Sequence, residues 1–476
     1  MEKPQEQKRV LGLLDTTLIV SGSMIGSGIF IVSSDMARTL GSPAWLLICW
    51  ILTGVITVFA ALSYGELAGM LPHAGGQYVY IKKAYSPLIA FLYGWTVFLV
   101  IQTGVIAAVA VAFSKYVGVF IPVFDENNVL LQLGNFKIKY AQLLAIACIL
   151  FLTWLNIQGI HYGKIIQRIF TSAKLIALFG LIVIGIYFGF TNDVFSQNFS
   201  DPWKAIQQSG TTDNPTTTNL NGLLLLAFVG VAMIGSLFSS DAWNNVTFIA
   251  AEIKEPHKNI PLGLLLGTLI VTIIYVLANI AYLCLLPMYN IQYALHDRVG
   301  AAAMSVVFSG NTATYLMAAL IIVSTFGCNN GLILAGSRLF QAMANDGLFF
   351  KKAAELNKNQ VPAWSLLLQG IWASVLCLSG SYGDLLEYST FASLIFYCIT
   401  IAGVFILRKK EPDLERPYKA FGYPIVPALY ILITAAICID LLYFKTQNTG
   451  MGLLIVLLGI PVYYYMLSRK KTNAPI

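Results

Sequence analysis

Charged residues are scarce in this sequence, and the patterns that mark enzymes and metal sites are missing from it. Only 11% of the 476 residues are Asp, Glu, Lys or Arg, whereas soluble domains carry about 25%. The four histidines are scattered, and no CxxC, HExxH or GxxxxGK[ST] motif occurs. We therefore expect no metal, no cofactor, no catalytic residue and no ATP-driven step in this chain.

Long apolar runs make up most of what is present. Hydrophobic residues account for 57% of the chain, and the mean hydropathy is +0.74. A helix that crosses a bilayer needs about 20 predominantly apolar residues. Twelve stretches lack Asp, Glu, Lys and Arg: 16–34, 39–65, 84–114, 140–163, 175–192, 214–240, 259–296, 299–337, 359–383, 388–407, 420–439 and 446–468. The sequence predicts an all-α membrane protein with twelve transmembrane helices and no soluble domain between them.

The positive charges predict the orientation of these spans. Loops on the side shared by both termini hold 21 Lys and Arg residues, and loops on the other side hold 7. Cytoplasmic loops carry the excess of positive charge, so we expect a multi-pass protein of the inner membrane with both termini in the cytoplasm. The net charge of +7 is explained by this topology, and no nucleic-acid partner is expected. Residues 1–10 show no cleavage site, so no removable signal peptide is expected.

Small residues crowd the middle of the first span, in the run Ser21-Gly22-Ser23-Met24-Ile25-Gly26-Ser27-Gly28. A helix-interior Gly is less favourable than Ala by about 1 kcal/mol, so this run predicts an unwound segment at mid-membrane. Such a segment is tolerated only where protein covers it or where it lines a polar cavity. The alternative interpretation is a packing face, because Gly22 and Gly26 are four residues apart.

A second interruption makes the unwound segment the better interpretation. Ser239, Ser240 and Asp241 interrupt the apolar run that begins at Leu223 in the sixth span. Paired interruptions at corresponding positions are typical of inverted-repeat transporters, whose substrate site lies at the midplane. The sequence therefore favours a transporter over a channel, which needs a continuous polar pore, and over an intramembrane hydrolase, which needs a base near its nucleophile.

The two interruptions predict a site for an α-amino acid. A half-helix beginning near Ile29 would point its free N–H groups at the cavity, which places Ser27 and Gly28 to hold a carboxylate. Carbonyls around Met24, Phe238 and Asp241 would accept hydrogen bonds from an ammonium. The predicted substrate-binding residues are Met24, Ile25, Gly26, Ser27, Gly28, Phe238, Ser239, Asp241 and Trp243.

Three of the surrounding residues have two interpretations each. Lys174 lies inside a span; it either snorkels to an interface or takes the place of a coupling cation, tying the fifth helix to the broken first helix near Gly22 and to hydroxyls such as Ser324 and Thr325. Asp241 either caps the half-helix that starts at Trp243 or contacts the substrate amine. Phe238 is either packing or a gate.

Several segments resemble the amino acid–polyamine–organocation superfamily, and within it the bacterial relatives of the L-type amino acid transporters, which are the light subunits of heteromeric transporters. They are GSMIGSGIF at 22–30, SYGELAGMLPHAGGQYVYIKKAYSP at 63–87, AFLYGW at 90–95, IFTSAKLIAL at 169–178, FSSDAWNNVTFIAAEIKEPHKNIPL at 238–262 and STFGCNNGLILAGSRL at 324–339. These matches lie within the first eight helices, about two-thirds of the chain.

The resemblance implies a leucine-transporter type of fold, with five-helix repeats at 1–192 and 193–410 and two further helices in 411–476. It places the substrate carboxylate on Ser27 and Gly28 and the amine on carbonyls of Met24, Phe238 and Asp241. Phe238 matches the family's gating aromatic. Lys174 matches a lysine that stands in for sodium, which implies sodium-independent transport, most simply exchange of neutral amino acids.

Two departures from the family pattern qualify this picture. The human light subunits carry a cysteine in the outward loop after helix 3, but residues 121–139 contain none. Since all seven cysteines fall inside spans, we expect no disulfide-linked heavy chain and a monomer or weak homo-oligomer in the lipid bilayer. Asp241 stands where large-neutral transporters often have Gly and cationic ones have Asp. Proton symport and transport of cationic amino acids or polyamines therefore stay open as alternatives.

Overall fold

A computed structural model of the protein describes residues 9–472 except 126, 134–135, 212–213, 309–310 and 380–381. The first eight and last four residues, which belong to the predicted segments 1–192 and 411–476, lie outside the described residues. Almost all regular structure that is described is helical. The prediction of an all-α membrane protein is confirmed at that level.

The first part of the chain contains eight helices and a hairpin. The helices are α1 (Leu13–Met24), α2 (Gly28–Leu40), α3 (Pro43–Met70), α4 (Gln77–Ala84), α5 (Pro87–Thr96), α6 (Gln102–Phe120), α7 (Tyr140–Ile157) and α8 (Ile160–Gly189). A π-helical turn, Val97–Ile101, joins α5 to α6, so that Pro87–Phe120 forms one candidate span. The antiparallel strands β1 (Val129–Leu133) and β2 (Phe136–Lys139) lie between α6 and α7.

The described remainder of the chain contains ten α-helices and a second hairpin. The helices are α9 (Val194–Asn198), α10 (Gly222–Ser239), α11 (Pro256–Leu285), α12 (Met288–Gln292), α13 (Val299–Val307), α14 (Thr312–Asn345), α15 (Ala363–Ser379), α16 (Tyr382–Lys410), α17 (Ile425–Phe444) and α18 (Thr446–Thr472). Strands β3 (Ile206–Thr211) and β4 (Asn214–Asn219) form a second antiparallel hairpin before α10. A 3₁₀ helix, Trp243–Glu252, follows α10.

Ten helical segments of the described chain are long and apolar enough to cross a membrane, and the bent pair α1 and α2 makes an eleventh. The stretch Ala363–Leu378 of α15 is apolar but shorter. The described residues thus contain ten or eleven candidate spans, where the sequence predicts twelve.

Two connections between spans contain regular structure, and α8 begins before the uncharged stretch 175–192. Residues 71–85 contain α4, and residues 192–219 contain α9 and the second hairpin. Helix α8 begins at Ile160 and contains Lys174, which the sequence places inside a span. Lys164 and Arg168 of this helix pair with Asp15 of α1, at 2.9 and 2.5 Å. Because their charges are paired, the helix can contain them without a break.

Local sequence explains several helix ends. Ser42 and Ser86 accept hydrogen bonds from the backbone N–H groups of Trp45 and Ile89, and each is followed by a proline at the first helical position. A side-chain cap and a proline at that position are the usual features of a helix start.

Small residues allow the central helices to pack closely. Helix α11 crosses α1 at Gly263 and Gly267, where an added Cβ would lie 2.4 Å from Thr16 and 2.5 Å from Val20. Such close approach of backbones is how helices associate in membranes, where the hydrophobic effect gives little driving force. The packing holds α1, and with it the start of the first interruption, against the centre of the bundle.

Candidate substrate-binding site

The first interruption separates α1 from α2 at the depth where the glycines cluster. Helix α1 ends at Met24 and α2 begins at Gly28, and the two axes differ by 43°. Ile25 has an extended backbone, with φ −77° and ψ 95°. The backbone carbonyls at the end of α1 therefore lose their helical partners and need other donors.

Side chains from three helices supply those donors. Lys174 of α8 donates from Nζ to the carbonyls of Gly22, at 2.6 Å, and Ile25, at 2.5 Å. Ser324 of α14 donates to Ile25 and Gly26, at 3.3 and 3.1 Å. The remaining two carbonyls, those of Ser23 and Met24, accept from Cys328 of α14 at 3.1 Å and from Tyr275 of α11 at 3.1 Å. Every carbonyl from Gly22 to Gly26 is thus bonded to a side chain.

Lys174 lies in the interior and does not snorkel to an interface. Its side chain is 0% exposed. Gly22 makes this arrangement possible, because a Cβ there would lie 2.1 Å from the Gln167 amide nitrogen and 2.3 Å from the Thr171 hydroxyl of α8. Of the two hydroxyls predicted to surround Lys174, Ser324 donates to the first interruption, and Thr325 donates to Ile321 of its own helix at 2.7 Å.

The second interruption lies beside the first. Helix α10 ends at Ser239, and the 3₁₀ helix begins at Trp243 after Ala242, whose φ of 63° is left-handed. A Cβ on Gly28 would lie 2.1 Å from the Ser239 hydroxyl, so this glycine allows the two interruptions to touch. The Tyr275 hydroxyl donates to Met24 at 3.1 Å and to Ser239 at 2.9 Å, which joins the two interruptions through α11.

A cavity of about 20 Å³ lies between the interruptions. Seven of the nine predicted substrate-binding residues line it: Met24, Gly26, Ser27, Gly28, Phe238, Ser239 and Asp241. The rest of its wall is formed by Ser23, by Val105 and Val109 of α6, by Ala242 and by Cys328. Ile25 contributes its carbonyl to Lys174, as described above. Trp243 lines a neighbouring cavity and packs edge-on against Tyr64, with ring centroids 4.6 Å apart.

Asp241 is buried beside the cavity and is held by α16. Its carboxylate accepts hydrogen bonds from the Tyr397 hydroxyl at 2.5 Å and from the Ser393 hydroxyl at 3.3 Å. The 3₁₀ helix that starts at Trp243 has no side-chain cap hydrogen bond. Asp241 therefore does not cap this helix. The Asp241 carboxylate is bonded to α16 instead.

The two ends of the bundle differ in how they are packed. At the end where α1 begins, buried Arg338 of α14 pairs with Glu252 of the 3₁₀ helix at 2.5 Å, and Asp15 pairs with Lys164 and Arg168. At the opposite end, a vestibule of about 560 Å³ opens between α2, α6, α10 and α16.

Sequence reasoning missed four residues that take part in the site: Tyr275, Cys328, Ser393 and Tyr397. Tyr275, Ser393 and Tyr397 lie in mainly apolar stretches, and Cys328 precedes two asparagines; nothing in the local sequence marks any of them as a partner of the interruptions. The polar run Ser239-Ser240-Asp241 was the only local sequence signal that a neighbouring helix, here α16, supplies polar partners. The packing of the helices decides which spans contact the interruptions. A hydropathy profile shows where the spans lie in the sequence, but it does not show which of them are neighbours.

Comparisons with known proteins follow this geometry. A family model described as amino acid permease matches residues 11–463. The "Large neutral amino acids transporter small subunit 2" of Mus musculus is 31% identical over 463 residues, covering 96% of this chain and 81% of the relative. The "Serine/threonine exchanger SteT" of Bacillus subtilis (strain 168) is 30% identical over 466 residues, covering 97% and 98%. The human "b(0,+)-type amino acid transporter 1" is 27% identical over 474 residues, covering 98% and 90%.

These matches extend over nearly the whole chain and include helices beyond the motifs that carry the resemblance. They confirm the similarity to L-type transporters, and they exclude an enzyme, because the family and these relatives are permeases and exchangers. The chain is a membrane protein that belongs to the amino acid permease family.

Proposed function

We propose that the protein is a secondary active transporter that exchanges neutral L-amino acids by alternating access and does not use sodium. The observation that carries this proposal is the Lys174 ammonium, which lies 2.6 and 2.5 Å from the carbonyls of Gly22 and Ile25. Carbonyls at the end of a broken helix are typical ligands of a coupling cation. Here a covalently attached cation occupies that position, so a free ion has no role there.

The substrate would lie across the two interruptions. Its carboxylate would accept hydrogen bonds at the start of α2, around Ser27 and Gly28, where N–H groups and the positive end of the helix dipole converge. Its ammonium would donate to carbonyls of Met24, Phe238 and Asp241. Phe238, which is buried and lines the cavity, would close it towards the vestibule.

The proposal includes the finer architecture of the fold. Counting the bent pair α1 and α2 as one span, and the shorter α15 as another, gives twelve membrane helices. We assign 1–192 and 193–410 to two inverted five-helix repeats of the leucine-transporter type, unwound in helices 1 and 6, followed by 411–476. With both termini in the cytoplasm of an inner membrane, the vestibule faces outward, and the ion pairs at Glu252 and Asp15 close the inner side.

We also propose that the chain works as a monomer or weak homo-oligomer without a disulfide-linked heavy chain. The support is the position of its cysteines, which are free and lie within the helices. The mouse relative is named as a small subunit, so a partner is a real alternative. Co-purification from native membranes under non-reducing conditions tests this point, and a covalent partner would contradict it.

Uptake in proteoliposomes tests the transport proposal. We expect labelled alanine or serine to accumulate only when the vesicles are preloaded with amino acid, and to do so equally in sodium and in potassium buffers. Accumulation driven by a pH gradient into empty vesicles would favour proton symport. Preferential uptake of arginine or a polyamine would favour a cationic transporter, for which the buried Asp241 carboxylate is the supporting feature. No uptake of any amino acid would overturn the proposal.

A further inference from the structure

Exposed lysines and an exposed aromatic side chain lie together at the end of the bundle where α1 begins, opposite the vestibule. A short 3₁₀ helix, Lys351–Ala354, lies there between α14 and α15. Lys351 and Lys352 are exposed, and the preceding Phe350 is 62% exposed. This basic surface takes no part in the substrate site described above.

Trp364 joins the basic surface to an apolar face of α15. It lies in the first turn of that helix and is 44% exposed, and Lys352 Nζ lies 5.0 Å from the centroid of its ring. The exposed face continues along α15 through Leu367, Ile371 and Val375, which are spaced three or four residues apart and so lie on one side of the helix. A tryptophan at the end of such a face is typical of the level of the lipid headgroups.

Hydrogen bonds hold the basic surface in place against neighbouring helices. The Ser365 hydroxyl of α15 donates to the Ala353 carbonyl at 3.0 Å, which fixes the 3₁₀ helix to the start of α15. In the loop that follows, Asn357 donates to the Ile157 carbonyl at the end of α7, at 3.0 Å. Exposed Lys358 is the next residue of that loop. The lysines are therefore attached to a backbone that the surrounding helices hold.

The charge of this surface is positive. From residue 351 to residue 358 the chain has three exposed lysines and one exposed acidic residue, Glu355. The acidic residue that precedes them, Asp346, is paired with Lys82 at 2.7 Å. Clusters of lysine directly beside a membrane helix attract anionic lipid headgroups. The surface thus combines a positive charge for a headgroup with an apolar face for an acyl chain.

We propose that this surface binds a phospholipid with an anionic headgroup, such as phosphatidylglycerol. The headgroup phosphate lies against the ammonium groups of Lys351 and Lys352, and the Trp364 ring lies at the boundary between headgroup and chains. An acyl chain follows the exposed face of α15. A soluble anion could use only the charged half of this surface, so the lipid is the ligand that fits both halves. The inference does not depend on which substrate the protein transports.

Titration of the detergent-purified protein with fluorescent phosphatidylglycerol tests the inference, with fluorescent phosphatidylcholine of the same acyl chains as the comparison. We expect the wild type to bind phosphatidylglycerol more tightly. One lysine near an anionic surface contributes a factor of about five to affinity, so replacing both Lys351→Gln and Lys352→Gln should weaken phosphatidylglycerol binding about 25-fold. Phosphatidylcholine binding should stay the same.

A matched control makes the same change of charge elsewhere. Lys409→Gln with Lys410→Gln removes two exposed lysines from the end of α16 and should leave phosphatidylglycerol binding unchanged. Trp364→Leu keeps an apolar side chain but removes the ring beside Lys352, and it should weaken binding by about two- to fivefold. Melting temperatures measured without added lipid show whether each variant is folded.

The comparison of the two lipids needs no variant, so the inference is testable even if a substitution prevents folding. Equal affinity of the wild type for phosphatidylglycerol and phosphatidylcholine overturns it, and so does a folded double lysine variant that binds phosphatidylglycerol as tightly as the wild type. Displacement of the lipid by inorganic phosphate as effectively as by unlabelled phosphatidylglycerol would indicate an anion site and also overturns it. Amino-acid exchange is measured separately, so none of these results decides the transport proposal.

Discussion

Replacing Lys174 with methionine separates the role of its charge from the role of its volume. Methionine keeps most of the aliphatic chain, so it leaves a smaller cavity than alanine does. The change removes two charge-assisted hydrogen bonds, to Gly22 and Ile25, each worth about 1.5–3 kcal/mol. It also removes the cost of burying an ammonium, which is several kcal/mol. The variant also leaves the buried Gly22 carbonyl without its side-chain donor, which costs about 1–3 kcal/mol, so we expect the melting temperature of the purified protein to fall by a few degrees.

Transport should respond much more strongly than stability. The Lys174 bonds join α8 to the end of α1. If one of these bonds stabilises the transition state of a conformational step, removing the ammonium raises the barrier of that step by about 1.5–3 kcal/mol. That increase corresponds to a rate about ten to a hundred times lower. The bonds from Ser324 to Ile25 and Gly26 do not involve Lys174. They should keep the first interruption in place, so that the variant stays folded although it is inactive.

The assay is exchange of labelled serine in proteoliposomes, with Lys174→Ala beside Lys174→Met and with thermal melting of the same preparations. We expect both variants to lose most transport and the methionine variant to melt near the wild type. Addition of sodium should not increase wild-type uptake. A methionine variant that exchanges at the wild-type rate would remove Lys174 from the mechanism, and one that fails to fold would show that the ammonium mainly stabilises the protein.

Three further predictions follow from buried polar groups. Asp241→Gly should weaken any arginine or ornithine uptake more than alanine uptake, as measured by competition, and equal effects would argue against a contact with a cationic side chain. Tyr275→Phe removes the bonds to Met24 and Ser239 and should lower stability by about 1–3 kcal/mol, visible in denaturation; an unchanged midpoint would contradict this. Asp440 lies in a membrane helix, and its Oδ2 has no hydrogen-bond partner among the described residues. Because Asp440→Asn removes a charge from this position, it should raise the melting temperature. A lower melting temperature would indicate that the carboxylate has a partner.

Hydropathy and small-residue patterns carried the sequence prediction a long way. The glycines at 22, 26 and 28 placed the first interruption, because glycine is the residue that a helix interior tolerates least apart from proline. Lys174 stood out because a charged side chain inside a membrane span is energetically costly and usually has a function. Both features are local, and they require no knowledge of which helices touch.

The residues that sequence reasoning missed depend on contacts between distant helices. Tyr275 lies 251 residues from Met24 in the chain, and Cys328 lies 305 residues from Ser23. Nothing local distinguishes them from tyrosines and cysteines that only pack. The pairing of Lys164 and Arg168 with Asp15 of α1 likewise depends on contacts between helices and could not be predicted from local sequence.

The donors that satisfy the first interruption imply which parts of the molecule move together. Tyr275 of α11 bonds to both interruptions, so α1, α10 and α11 can shift as one unit without losing those bonds. Lys174 of α8, together with Ser324 and Cys328 of α14, bonds only to the first interruption. If the cavity is to open on the side where Glu252 and Arg338 now pair, α1 must move relative to α8 and α14, whose side chains hold its broken end. We therefore expect substitutions on α8 and α14 to change the rate of exchange, and substitutions at Tyr275 to change stability first.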